Sequence, residues 1–198
     1  GNQAGVNLIL GYQNTMVGHL AGSYMEGANN VAVGYYAGSK LGHADADSNT
    51  LLGGIAGGGG DNTYSNNTAA RNVGIGVKSL GGDTYSSDGA AFTAVDNVAV
   101  GHDSLRVLTT GANNVAIGKS AGAALTVEDE CVFIGYQVGL VANHATAIDG
   151  TIGIGYKALT SLTSGGLNLA IGSGALQYCV DGEYNLAIGH GALGDWNA

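Results

Sequence analysis

Along most of the chain, aliphatic and small residues alternate over three positions and then stop at a glycine. The block Asn-Val-Ala-Ile-Gly recurs with small changes, and self-similarity of this kind defines repeat architectures. Anchored on its glycine, the block stands at Gly11, Gly34, Gly53, Gly76, Gly101, Gly118, Gly135, Gly155, Gly172 and Gly189. Successive spacings are 23, 19, 23, 25, 17, 17, 20, 17 and 17 residues. The minimal unit is therefore 17 residues, with insertions of two to eight in five of the nine intervals.

Each column of the aligned repeat has a physical reading. The position before the glycine is always aliphatic, and the position three before it is aliphatic in every copy except Thr50. Two residues apart on a strand, these columns share one face, and the expectation is that they form the core. The column between them is Ala or Gly in seven copies (Ala32, Gly74, Ala99, Ala116, Gly153, Ala170, Ala187) and is expected to face outward, where small residues admit a neighbouring subunit. Four before the glycine stands Asn in eight copies: Asn7, Asn30, Asn49, Asn72, Asn97, Asn114, Asn168 and Asn185. Stacked Asn residues can pass amide hydrogen bonds from coil to coil, and Asn tolerates turn conformations. The anchor glycine is expected at positive φ. After it come Leu80, Leu105, Leu159, Leu176 and Leu193, or a Gly followed three residues later by Leu41 or Leu125. That later column also holds Leu108, Leu162 and Cys179, so a second short strand is expected to face the same core.

These columns predict an all-β, parallel β-solenoid of about ten coils of 17–25 residues, a single repeat domain over 1–198 with longer insertion loops around 54–71 and 81–96. Helical repeats fit poorly, since glycine recurs every few residues and the period is too short for the known helical solenoids. Ten coils at about 4.8 Å make a rod of about 50 Å. Glycine is 37 of 198 residues and proline is absent, as suits a chain that turns often and uses nearly every backbone N–H in a ladder.

Charge narrows the partners. Six basic residues and a formal net charge of −9 leave no footprint for a phosphate backbone, so nucleic acid is set aside, and so is docking on anionic lipid. No apolar run approaches the roughly 20 residues that span a bilayer, and no membrane insertion is expected. The chain begins Gly1-Asn2-Gln3, with neither signal peptide nor initiator Met, and reads as a piece of something longer. Cys131 falls in the Asn column and Cys179 in a core column two anchors on. Two coils are about 10 Å apart, beyond the roughly 7 Å Cα separation a disulfide allows, so two free thiols are expected.

The repeat N-x-A-[IV]-G-x-x-[AS]-[LG] resembles the head repeat of YadA-type trimeric autotransporter adhesins and the similar repeats of bacteriophage tail fibres. Asn97-Val98-Ala99-Val100-Gly101, Asn114-Val115-Ala116-Ile117-Gly118 and Asn168-Leu169-Ala170-Ile171-Gly172 carry the resemblance. It implies a left-handed β-roll, three chains side by side, and a role in attachment at an extracellular surface, on a virion tail or a bacterial exterior. The unit is longer than that of the adhesin head and its insertions are irregular, as in Ala158–Gly165, which favours the phage-fibre type. The expected function is a structural and adhesive segment of a trimeric fibre taking part in host attachment. The alternatives are a bacterial adhesin head and a passive spacer in such a fibre. An ice-binding solenoid is disfavoured because no column is consistently Thr.

Candidate chemistry is sparse. His102 and His190 follow anchor glycines, as do Tyr12, Tyr35, Tyr136 and Tyr156, forming a surface column. Neither G-x-S-x-G nor H-E-x-x-H occurs, and the nearby acid sets (Asp45/Asp47, Asp83/Asp88, Glu128/Asp129/Glu130) have no glycosidase context. His43 to Asn49 alternates oxygen ligands but lacks the Gly and terminal Glu of a calcium loop. No enzyme, metal or cofactor is expected. The candidate ligand-binding residues, for a cell-surface glycan or protein receptor, lie in two insertions sharing a Gly-Gly-Asp…Thr-Tyr-Ser theme. They are Asp61, Asn62 and Tyr64 in the first, and Asp83, Tyr85 and Asp88 in the second. Tyrosine offers a ring face to a sugar, and Asp and Asn offer partners to its hydroxyls.

Overall fold

The computed structural model describes residues 2–5, 11–39, 41–58, 67–81, 91–140 and 148–195. Ten strands form one parallel sheet in sequence order, a β-solenoid of about nine turns. They are β1 (Thr15–Val17), β2 (Val31–Val33), β3 (Thr50–Leu52), β4 (Val73–Ile75), β5 (Val98–Val100), β6 (Val115–Ile117), β7 (Val132–Ile134), β8 (Ile152–Ile154), β9 (Leu169–Ile171) and β10 (Leu186–Ile188). The register follows the repeat, so that Val98, Ala99 and Val100 pair with Val115, Ala116 and Ile117.

The backbone path is the same in every coil. Four positions have positive φ each time: five before the anchor, the anchor itself, and two and four after it. In the β6 coil these are Asn113 (58°), Gly118 (130°), Ser120 (56°) and Gly122 (56°). The anchor lies in a region open essentially to glycine. A side chain there would also point along the rod: a Cβ on Gly101 would sit 2.5 Å from the carbonyl oxygen of Gly118 in the next coil.

This path moves the first anchor. β1 is followed by Gly18, whose φ of 130° matches the other anchors. Gly18 and Asn14, with a spacing of 16 residues to Gly34, replace Gly11 and Asn7 in the pattern; Asn7 lies outside the described residues. The second half of each coil is a run of turns among the described residues, not the second strand expected. Its leucines nevertheless face the core as expected: Leu80, Leu105, Leu108, Leu125, Leu159, Leu162 and Leu176 are buried, while Leu193, in the last coil, is exposed.

The larger correction concerns the strand faces. The middle column points inward: Ala32, Leu51, Ala99, Ala116, Phe133, Ala170 and Ala187 are buried. The two aliphatic columns point outward, with Ile117 40 % and Ile188 63 % exposed. The interior is narrow because the turn wall already contributes leucine. Where the middle residue is large, the opposite wall gives way: Met16, Leu51 and Phe133 face Gly22, Gly57 and Gly139, and a Cβ on Gly57 would lie 2.6 Å from the Leu51 side chain. Where the middle residue is Ala or Gly, the same position can carry Leu, as in Gly74/Leu80, Ala99/Leu105 and Gly153/Leu159. The large middle residues Leu51 and Phe133 are each followed one coil later by a glycine, Gly74 and Gly153, where a Cβ would crowd them. Close packing without voids explains this exchange. Thr50 accordingly sits on the outer face and does not weaken the third coil's core.

The asparagine ladder binds the coils together. Asn49 donates its backbone N–H (2.8 Å) and its Nδ2–H (3.0 Å) to Oδ1 of Asn30, and Nδ2 also donates to the Ala69 carbonyl (2.8 Å). Asn72, Asn97 and Asn114 repeat the pattern on the residue before each. The ladder breaks at Cys131 and Thr151. The Cys131 N–H still donates to Asn114 Oδ1 (2.9 Å), and its Sγ donates to the Ile148 carbonyl (3.4 Å), but the buried Thr151 hydroxyl has no partner. It resumes between Asn168 and Asn185.

Two stability predictions follow from this layout. Ala116→Asp buries an unpaired carboxylate and should abolish cooperative folding or cost several kcal/mol, whereas Ile117→Asp should leave the β-signal of the single chain intact; thermal melts by circular dichroism of both variants check the assigned faces. Joining the ladder with Cys131→Asn and Thr151→Asn together should stabilise the protein by about 1–2 kcal/mol, read as a higher urea midpoint.

Candidate functional site

The outward columns of ten strands make an apolar ribbon running the length of the sheet. Eighteen of its twenty side chains are Val, Ile or Leu, the others being Thr15 and Thr50. At about 4.8 Å per step, nine steps make it about 43 Å long. Its side chains are half-buried in the middle coils and exposed at Val17, Ile75, Ile117, Leu186 and Ile188. A contiguous apolar face of this extent is unusual for a surface that meets only water. The alternation was legible in the sequence, but its sense was misread, so sequence reasoning assigned these side chains to the core.

Beside the strands' C-terminal ends runs the column after each anchor: His19, Tyr35, Gly54, Val77, His102, Lys119, Tyr136, Tyr156, Ser173 and His190. His19 belongs to it and Tyr12 does not, because the first anchor is Gly18. Neighbours in the column stack across coils, Tyr136 on Tyr156 with centroids 5.4 Å apart and His19 on Tyr35 at 5.7 Å. Lys157 Nζ lies 5.4 Å from the centre of the Tyr156 ring, a cation–π contact. His102 Nδ1 lies 2.7 Å from Asp103 Oδ2.

Beside the N-terminal ends, carboxylates do structural work. Asp129 Oδ1 accepts the Ala112 N–H (2.6 Å), and Asp149 Oδ1 accepts the Asp129 N–H (2.9 Å). Arg71 and Asp96 form a bidentate pair with two contacts of 2.7 Å between consecutive coils. That hydrogen-bonded pairing holds the Asp96 carboxyl below its ordinary range and raises Arg71. Asp45 and His43 share one turn, the Asp45 N–H donating to His43 Nδ1 (3.1 Å). Among the described residues no group of three or more His, Cys, Asp or Glu is placed to hold a metal, and no helix is long and apolar enough to cross a membrane.

The thiols of Cys131 and Cys179 are free and buried. Burial pushes the Cys131 thiol up to about 12; the Thr151 backbone opposes this, while Asp149, Glu128 and Asp129 add to it. A thiolate is therefore not available at neutral pH, and the group serves as a ladder member, not a nucleophile.

The predicted ligand residues Asp61, Asn62, Tyr64, Asp83, Tyr85 and Asp88 lie outside the described residues. Comparison of the chain with protein-family models, with curated proteins and with solved structures finds no match in any of the three.

Proposed function

We propose that the chain is a structural and adhesive segment of a trimeric surface fibre, of the phage tail-fibre kind, acting in host attachment. The observation that carries this reading is the apolar ribbon. Burying its aliphatic side chains against other copies would remove them from water at about 25 cal/mol per Å². A rod held together by an asparagine ladder and side-chain stacking suits a load-bearing, extracellular part. The left-handed sense of the coil belongs to the same reading.

Adhesion is assigned to the insertions. Tyr64 and Tyr85 supply ring faces and Asp61, Asn62, Asp83 and Asp88 supply hydroxyl partners, for a cell-surface glycan or protein receptor. The two insertions fall in consecutive coils, which supports one shared patch, since repeat proteins concentrate insertions on a binding face.

Light scattering after size exclusion should give a mass near three times 19.6 kDa, and a mass of one chain would sink the fibre reading. Tyr64→Ala combined with Tyr85→Ala should keep that mass and lower binding to host cells or a glycan array. Unchanged binding would remove this patch, and a trimer that binds no surface would make the chain a spacer.

A further inference from the structure

The column after the anchors carries a side chain in every coil from β1 to β10 except the third, where it is Gly54. Tyr35 stands one coil before Gly54 and Val77 one coil after it. The two flanking side chains are therefore two strand spacings apart, about 10 Å. Tyr35 is 55 % exposed, and only one face of its ring is stacked. His19 lies on that face, with centroids 5.7 Å apart and planes within 16°. Tyr36 lies edge-on, 4.6 Å from Tyr35 and 6.2 Å from His19. Those separations put Tyr36 at the flank of Tyr35, not across the face turned away from His19. That second face looks along the rod over Gly54, and no other ring among the described residues meets it. Beyond the gap, Val77 is 47 % exposed.

The floor of the gap is polar. A Cβ on Gly54 would meet only the Tyr35 carbonyl oxygen, at 4.0 Å, so the position is open. The Gly54 carbonyl accepts the Lys78 N–H (3.0 Å), and the Tyr35 carbonyl accepts the Ile55 N–H (2.7 Å). The Gly54 N–H has no partner among the described residues, and Gly54 has no side chain to screen it. A ring face beside an unused donor suits a flat ligand with an apolar face and acceptor oxygens at its edge. A hexopyranose has both: its C–H groups stack on a tyrosine ring, and its ring oxygen and hydroxyls accept hydrogen bonds. A partner's phenyl or aliphatic side chain would fill the same space and leave the donor unpaired, which is costly once water is excluded. We infer that the Gly54 gap is a subsite for one hexopyranose unit, stacked on Tyr35 and accepting the Gly54 N–H, with Val77 closing the far side. The inference goes beyond the adhesive reading of the insertions, and it stands on this geometry alone.

Saturation-transfer NMR on the full chain tests the subsite, with methyl β-galactopyranoside and methyl β-glucopyranoside as probes. At least one should bind in the millimolar range, as suits a ligand of this size. Gly54→Tyr puts a ring into the gap, stacked on Tyr35 as Tyr156 is on Tyr136. Gly54 lies outside the left-handed region and its position is open, so this variant should fold and lose the signal. Tyr35→Ala should weaken binding roughly tenfold, whereas Tyr35→Phe should keep it, because the sugar meets the ring face. That pair decides the matter if Gly54→Tyr does not fold. Failure of both sugars to bind the wild-type chain would overturn the subsite, as would a signal that survives Gly54→Tyr and Tyr35→Ala. Binding of N-acetyltyrosine amide in place of the sugars would overturn the sugar assignment and make the gap a socket for a partner's side chain. A trimer that binds neither sugar would sink the subsite and leave the fibre reading standing. A single chain that binds a sugar through Tyr35 would sink the fibre reading and keep the subsite.

Discussion

Every coil lies one strand spacing from the next, and that proximity governs the rest of the structure. At the anchor, the backbone of one coil meets the carbonyl of the following one so closely that a Cβ on Gly34 would sit 2.5 Å from the Gly53 oxygen. The chain can climb only if each turn repeats the last, so the same four backbone positions have positive φ in all ten coils.

Within that frame, the two walls of a coil share one narrow interior. Met16, Leu51 and Phe133 each face a glycine, and leucine at that position appears only opposite Ala or Gly. Leu80, Leu105, Leu159 and Leu176 occupy the left-handed region, with φ of 45° to 56°. That conformation is costly for a bulky residue, and the apolar burial of a whole side chain offsets it. The Asn column serves the buried backbone in the same way: each amide holds an N–H and a carbonyl that solvent cannot reach, and the unpartnered Thr151 hydroxyl marks where that service lapses.

The same geometry sorts the surface into parallel lines. Because residues in register stack, a preference at one repeat position becomes a stripe down the rod: apolar along the strands, carboxylates before them, and Lys, His and Tyr after them. A modest compositional bias thereby becomes an extended feature with direction.

The repeat, its period, the parallel stacking, the Asn ladder, the buried turn leucines and the free thiols were all legible in the sequence, since each depends on residue type recurring at a fixed interval. The first anchor was misplaced because Gly11 and Gly18 both follow aliphatic residues, and only strand pairing with Val31–Val33 distinguishes them. Which strand face turns inward was decided by tertiary structure alone. Alternation shows that two faces differ, and the larger aliphatic set would ordinarily be the core. Here the opposite wall had already filled the interior with leucine, so only Ala, Gly or a compensated large residue fits inside, and Val and Ile are left on the outside.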